Sequence, residues 1–392
     1  MPSCWIEVDL NAIRHNFRAI QDLVGAETKI IAVVKANAYG HGAVETSRAL
    51  STAGAAQLAV TRIEEALPLR AAGIAAPILV LAPAPAEDVG AVVEHGLTAC
   101  VSSYEDAERL SNEAARQDAT ARVQLKIDTG MARFGVEPAA AVEVSRRIAG
   151  LPHLYLEAVF THFAHAAGSA RDTAQVEAQF SQFQKLIPGI SEAAGLAAHQ
   201  FHCANSAALL RFPAMRLSCV RPGTILYGQY PSALATQAGA EYSLQLHNTF
   251  TARARILAIQ KLQSGQSVGY GGEWRAARPS RVATLAIGFA DGLSQEPQTR
   301  GETPYAVLQR ALRQVARDVS QRGQLKPGNP RTVLLHGQAA PIIGRIAMQT
   351  CSVDVTDIKN AAIGDEVTVF MRRTSAGAHL PRVYVDTPAE DE

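Results

Sequence analysis

The sequence predicts an α/β protein: a (β/α)8, TIM-like barrel over residues 1–235, then a smaller, mostly-β domain over 236–392 with a helical insertion near 299–331. Three observations lead there. Through the first 235 residues, about eight short apolar runs alternate with alanine-rich segments of helical periodicity, the number of strands a closed barrel needs. Beyond that point apolar stretches follow one another across turns, without helices between them. At 392 residues the chain is also long for one core, and two domains suit its length better.

The predicted barrel strands are residues 30–34, 57–60, 77–81, 98–101, 122–127, 156–161, 199–202 and 217–220. Each is a run of four to six residues, and the first is rich in β-branched side chains, as strands buried on both faces are. Helical periodicity and high alanine propensity mark 41–53, 61–72, 103–117 and 173–193. Residues 230–242, with Pro231, Ser232 and Gly239, read as the linker. Strands of the second domain are expected at 249–259, 281–287, 332–335, 341–346, 352–355 and 366–370. In the insertion, Tyr305, Leu308, Leu312, Val315 and Val319 recur at three- and four-residue spacing with arginines among them, which predicts an amphipathic helix.

With 47% hydrophobic and 19% charged residues the chain reads as an ordinary soluble globular protein, and a net charge of +1 argues against nucleic acid or an anionic membrane as partner. Small neutral or zwitterionic substrates fit better. The five cysteines are scattered, without zinc-ribbon or redox spacing, and read as inert core thiols in a reducing compartment. No basic start followed by an apolar stretch is visible at the amino terminus, and no apolar run is long enough to span a bilayer, so the cytoplasm is the expected location.

Lys35 is the most informative residue. It closes the apolar run Ile30-Ile31-Ala32-Val33-Val34 and opens the polar segment Ala36-Asn37-Ala38-Tyr39-Gly40-His41-Gly42. That puts an amine at the carboxyl end of a buried strand, where parallel α/β proteins hold their ligands. Surrounding hydrocarbon disfavours the charged form, and a neutral amine is the nucleophile needed for a Schiff base with a carbonyl cofactor. A lone lysine at such a position more often snorkels to solvent. The segment as a whole, however, resembles the cofactor-lysine segment of alanine racemases, the fold-type III pyridoxal-phosphate enzymes. The resemblance implies pyridoxal 5′-phosphate as cofactor, carried by Lys35, with Tyr39 binding its phosphate.

Further segments extend the similarity over nearly the whole chain. Asp128-Thr129-Gly130-Met131-Ala132-Arg133-Phe134-Gly135 resembles the racemase segment whose arginine, here Arg133, supports the substrate carboxylate and the cofactor O3′. Lys126 matches a lysine that some members carry as a carbamate orienting that arginine. His162 matches the residue under the cofactor ring. His202-Cys203-Ala204-Asn205-Ser206-Ala207-Ala208 is similar to a phosphate-binding segment, with Ser206 as the expected ligand and Asn205 beside it. Asn205 and Ser206 equally suit a plain helix cap, and the two roles are compatible. In Val220-Arg221-Pro222-Gly223-Thr224-Ile225-Leu226-Tyr227-Gly228, Gly223 and Thr224 are implied to offer amides to the phosphate, and Arg221 to face the pyridine nitrogen. A guanidinium is essentially never deprotonated, so it donates a hydrogen bond to that nitrogen without giving it a proton. The ring is then a poorer electron sink, which suits simple proton exchange at Cα and suppresses transamination.

Racemisation needs a base on each face of a planar Cα. Lys35 serves one face. Val268-Gly269-Tyr270-Gly271-Gly272 resembles the segment bearing the second base, which makes Tyr270 the candidate for the other. A phenol titrates near pKa about 10, so basicity near neutral pH requires a fall, for which positive charge transmitted through His162 and Arg221 is the expected cause. The resemblance places this tyrosine in the neighbouring subunit and so implies a head-to-tail homodimer. Met348 takes the position whose backbone amide helps hold the substrate carboxylate.

Departures from the family pattern cluster in the second domain. Gln349 replaces the usual aspartate, Phe289 replaces a tyrosine, and the shortened carboxyl end aligns Ala378 with a tyrosine that narrows the entrance. Each change removes a polar or ionised group near the mouth, and activity on side chains larger than methyl is expected. The expected function is a two-base amino-acid racemase acting on alanine. The alternatives are a fold-type III lyase or decarboxylase and a non-catalytic pyridoxal-phosphate carrier. The Tyr270 segment and Arg221 speak against the first, and the large β domain against the second.

Overall fold

Strand β1 (Cys4–Asp9) opens the chain with Trp5, Ile6 and Val8 buried, and Asp9 caps the following helix Leu10–Val24 by accepting from Ala12 N at 2.9 Å. Eight parallel strands then close into a barrel in sequence order: β2 (Lys29–Val33), β3 (Gln57–Val60), β4 (Ile78–Val80), β5 (Thr98–Val101), β6 (Ala121–Lys126), β7 (Leu154–Phe160), β8 (Phe201–Asn205) and β9 (Cys219–Arg221). The last returns to the first through Lys29↔Cys219 and Ile30↔Val220. Ile30, Ile31, Ala32 and Val33 are all buried, as a strand between a barrel interior and a helical layer must be. This computed structural model describes residues 2–197, 200–293 and 331–386. The predicted strand at 199–202 begins outside that set, and its described part is the start of β8.

Between the strands run helices where the periodicity predicts them, including Ala43–Ala53, Ile63–Ala71, Tyr104–Arg116 and Thr173–Ala194. The expected linker is a correction. Residues Ala233–Glu241 are helical, capped by Ser232 Oγ accepting from Ala235 N at 3.2 Å. Gly239, part of that expected linker, is buried where a Cβ would overlap the Tyr230 ring, so it serves close packing.

Asp9–Thr249 forms one unit, while Met1–Val8 groups with Phe250–Val385 in the other. The break therefore falls after Thr249 rather than at 235, and the first strand leaves the barrel unit because it pairs antiparallel with strand β10 (Phe250–Leu262), from Cys4↔Ala254 to Val8↔Phe250. The second unit continues with β11 (Ser267–Val268), β12 (Trp274–Arg275), β13 (Ser280–Leu285), β14 (Thr332–Leu335), β15 (Gln338–Ile343), β16 (Cys351–Asp354), β17 (Glu366–Val369) and β18 (Arg382–Val385). Its main sheet has the order β13-β16-β15-β14-β17-β10-β1-β18, and β10 also pairs β13. The amphipathic helix expected near 299–331 lies outside the described residues. Among the described residues no helix is long and apolar enough to cross a membrane.

Candidate active site

Lys35 begins an unusual turn. Ala36, Asn37, Ala38 and Tyr39 all have positive φ between 51° and 54°, a left-handed turn built from residues with side chains. Such backbone costs roughly 1–2 kcal/mol per residue and persists only where surroundings enforce it. Here Glu65 enforces it: its carboxylate accepts from Ala36 N at 2.6 Å and from Thr61 N at 2.8 Å, tying the turn to the end of β3. Asn37 Oδ1 accepts from Ala43 N at 2.7 Å, and Gly40 N and Gly42 N close back onto the turn at 3.0 Å. The turn thus holds Lys35 and Tyr39 in one rigid element.

A cavity of about 370 Å³ opens at the carboxyl ends of the barrel strands. All the barrel-borne candidates line it: Lys35, Tyr39, Lys126, Arg133, His162, Asn205, Ser206, Arg221, Gly223 and Thr224. Burial lowers the Lys35 pKa, the Arg133 charge lowers it further and Glu65 opposes both, so the neutral amine is favoured relative to a free lysine. Burial pushes the Tyr39 hydroxyl up to about 12, which keeps it a hydrogen-bond donor. Gly223 N donates to Ser206 Oγ at 2.8 Å, and Asn205 Oδ1 caps the helix Ser206–Arg211 from Ala207 N and Ala208 N at 3.1 and 3.0 Å. Hydroxyls of Tyr39, Ser206 and Thr224 therefore surround one end of the cavity, and a Cβ at Gly223 would overlap the Tyr39 hydroxyl. This cradle has the donor set and the room for a phosphate.

Arg221 is fully enclosed. Its Nη2 donates to Thr161 O at 2.7 Å and to Cys203 O at 3.2 Å, and its Nη1 meets His202 Nδ1. Burial lowers its pKa to about 10, which leaves it charged at neutral pH. His162 Nδ1 is 3.4 Å from Arg221 Nη2 and its Nε2 is 3.5 Å from Asn205 Nδ2. Burial first, then the Arg221 charge, drive His162 down to about 3. The expected passage of positive charge through His162 is thereby corrected: the imidazole is neutral, and the charge stays on Arg221.

Lys126 is buried with its Nζ donating to Phe134 O and lying 4.0 Å from the centre of the Phe134 ring; burial lowers its pKa. The Asp128 carboxylate accepts from the amides of Gly130, Met131, Ala132 and Arg133, which folds the loop carrying Arg133.

Tyr270 and Met348 belong to the β unit, where they are 74% and 62% exposed. Tyr270 sits on a tight turn between β11 and β12, flanked by Gly269 and Gly271 with φ of 73°. That hairpin is anchored by Val268, packed with Val282 and Ile343. Phe289 N donates to Ala347 O at 3.0 Å and Ala290 N to Met348 O at 2.9 Å, so the two departing segments are stitched together. His379 Nε2 stands 2.8 Å from Asp291 Oδ1 and Gly377 N donates to Asp291 O at 3.0 Å, which pins the shortened tail bearing Ala378.

Two residues with a part in this geometry carried no role in the sequence reading. Glu65, which holds the turn, gives no signal beyond being an acid in a helical first turn. Gln124, the acceptor for His202 at 3.0 Å, could have been found as the lone polar residue between Val123 and Leu125 in a buried strand.

Comparison with known proteins bears on the family of the chain. The family model described as "Alanine racemase, N-terminal domain" matches residues 8–231, and "Alanine racemase, C-terminal domain" matches residues 249–383. An alanine racemase of Desulfovibrio desulfuricans is 36% identical over 401 residues, covering 97% of this chain and 98% of that protein. One from Methanococcus maripaludis is 35% identical over 367 residues, covering 93% and 88%. The solved alanine racemase of Clostridium difficile 630 superposes with a TM-score of 0.83 at 28% identity, covering 99% of this chain and 97% of that one. The Bacillus anthracis alanine racemase with bound L-Ala-P gives 0.79 at 27%, covering 99% and 96%. With both family domains matched in order and relatives aligned almost end to end, the chain belongs to the alanine racemase family.

Proposed function

We propose that this chain is a pyridoxal-phosphate-dependent racemase that interconverts L- and D-alanine, with Lys35 and Tyr270 as bases on opposite faces of Cα. The observation that carries the reading is the convergence, on one cavity, of an amine with lowered pKa, an ionised and buried arginine, and a ring of hydroxyls. Bound there, pyridoxal phosphate supplies an electron-withdrawing ring that acidifies the substrate's Cα–H.

Lys35 Nζ would hold the cofactor through its carbonyl carbon, and as a neutral amine it would take or return the substrate's α-proton on its own face. Tyr39, Ser206, Thr224 and the Gly223 backbone bind the phosphate, with Asn205 fixing the helix beside it. Arg221 would donate to the ring nitrogen and keep its own proton, which would limit how far charge spreads into the ring. Neutral His162 would help hold the ring without adding charge. Arg133 and the Met348 backbone orient the substrate carboxylate. Lys126, with its pKa lowered, offers the neutral amine a carbamate would require.

Tyr270 reaches a substrate from a second copy of the chain in a head-to-tail homodimer; its high exposure in the single chain supports this. The free, buried thiols of Cys100, Cys203 and Cys351 suit a reducing compartment, and a cytoplasmic location is proposed on that ground. Phe289, Gln349 and Ala378, each lacking a group usual in the family, support activity on side chains larger than methyl.

Deuterium uptake at Cα from heavy water, accompanied by loss of optical rotation from either enantiomer of alanine, is the expected result. Decarboxylation or cofactor release without exchange would replace the reading with a lyase or a carrier. Specificity constants for alanine, serine, lysine and arginine test the breadth, and turnover of alanine alone would refute it.

A further inference from the structure

The polar row that leaves Arg221 continues past His202. His202 Nδ1 meets Arg221 Nη1, and its Nε2 is 3.0 Å from Gln124 Oε1. Gln124 Nε2 donates to Glu157 Oε2 at 3.0 Å and to Gln57 Oε1 at 3.2 Å, and Gln57 Nε2 donates to Thr98 Oγ1 at 3.3 Å. All of these residues are buried except Glu157, whose side chain is 27% exposed. Glu157 lines a second cavity of about 270 Å³ with Lys29, Arg122, Gln124 and Tyr155. Lys29 is the first residue of β2, Arg122 and Tyr155 the second residues of β6 and β7, so this cavity is the amino-terminal mouth of the barrel, at the opposite end from Lys35.

The two ends of the row dictate every hydrogen within it. A guanidinium only donates and a carboxylate only accepts. Arg221 donating to Nδ1 requires a lone pair there, so neutral His202 carries its proton on Nε2. That proton requires the carbonyl oxygen of Gln124, which turns the amide toward Glu157. Reversing any member sets donor against donor, or acceptor against acceptor, between buried side chains, where unmade hydrogen bonds are expensive. Burial and the Arg221 charge both hold His202 neutral, so a second ring proton does not relieve the constraint. Phe160 stacks on the His202 ring with centroids 5.1 Å apart and prevents it from swinging away.

We propose that Gln124, anchored by Glu157, is a positioning residue: it supplies the acceptor for the Nε2 proton that His202 must carry while Arg221 donates to Nδ1, and thereby holds the guanidinium of Arg221 from the far end of the barrel. The consequence for turnover rests on the reading that Arg221 faces the cofactor ring nitrogen, whereas the tautomer itself does not.

Two readouts separate those parts. In holoprotein labelled with 15N-histidine, with His202 assigned by its loss in His202→Gln, the wild type is expected to show one tautomer with Nε2 protonated. Gln124→Leu removes the acceptor, and Glu157→Gln frees the Gln124 amide to turn its NH2 toward Nε2; in each the Nε2–H that Arg221 requires loses its acceptor, and a mixture containing the Nδ1-protonated tautomer is expected. Exchange at Cα should then fall about tenfold in kcat with KM changed less than about twofold, the order of losing one hydrogen bond to a charged group. Glu157→Gln stands at a solvent-facing position and keeps the test intact if Gln124→Leu fails to fold. A wild-type His202 protonated on Nδ1 would overturn the proposal, as would wild-type tautomer and kcat in Glu157→Gln. A changed tautomer with unchanged kcat would overturn its catalytic part. Absence of Cα exchange in the wild type would remove the functional reading instead, and the tautomer measurement would still decide the role of Gln124.

Discussion

Gly223 leaves the space that the Tyr39 hydroxyl occupies: a Cβ at position 223 would overlap that oxygen. The glycine is therefore required by its neighbour. Since Ser206 Oγ accepts from the Gly223 amide, displacing Tyr39 or the 223 backbone disturbs the whole phosphate cradle. Gly223→Ala is expected to destabilise the protein by ~1–3 kcal/mol through overpacking. The dissociation constant for pyridoxal phosphate, read by fluorescence quenching, should rise roughly tenfold or more, as a loss of at least about 1.4 kcal/mol implies.

The charge balance at Lys35 gives a pH prediction. Burial and Arg133 lower its pKa while Glu65 raises it, so Glu65→Gln removes the one opposing charge and the pKa falls further. The neutral amine attacks the cofactor carbonyl, so incorporation of pyridoxal phosphate into the apoprotein speeds up with rising pH in both proteins. Stopped-flow absorbance should place the half-maximal rate at lower pH in the variant. The amide retains one oxygen to accept from Ala36 N, while its NH2 no longer accepts from Thr61 N.

Acid stability follows from His162. Its folded pKa, about 3, is depressed below the unfolded value, so the unfolded chain binds more protons and stability is lost as pH falls. The window runs from about 6.5 downward to about 3, and at pH 5 the histidine alone removes ~2 kcal/mol relative to neutral pH. Urea titrations between pH 7 and 5 should show a shallower decline in His162→Gln. An equal decline would assign the acid sensitivity elsewhere.

Gly239 distinguishes a helix from a linker. In an open helix, glycine to alanine stabilises by about 1 kcal/mol. Here the added methyl meets the Tyr230 ring, whose hydroxyl is held by Leu244 O at 2.7 Å, so Gly239→Ala is expected to lower the melting temperature instead.

Much of this architecture was legible because parallel strands buried on both faces leave unbroken apolar runs, and 57–60 and 98–101 coincide with β3 and β5 end to end. The linker reading failed because Pro231, Ser232 and Gly239 have other uses in a packed structure: Ser232 caps a helix and Gly239 admits an aromatic ring. Strand β1 escaped because its partner β10 lies about 245 residues away, the register being Cys4↔Ala254. At the site, the short motifs pointed to the residues that line the cavity, since each motif sits at a strand end. The left-handed turn after Lys35 was invisible, because Ala36, Asn37 and Ala38 ordinarily avoid positive φ and the enforcing carboxylate, Glu65, comes from another element.

The central claim is that two different bases serve the two faces of Cα. Its most direct test compares deuterium uptake at Cα from L-alanine and from D-alanine in the wild-type protein and in Tyr270→Phe, before any racemisation has accumulated. The wild type should exchange both enantiomers; the variant should keep exchange from one, through Lys35, and lose it from the other by at least about a hundredfold, the contribution of a positioned base. Equal retention of both, or an equal loss of both with the Lys35-bound cofactor intact, would contradict the account.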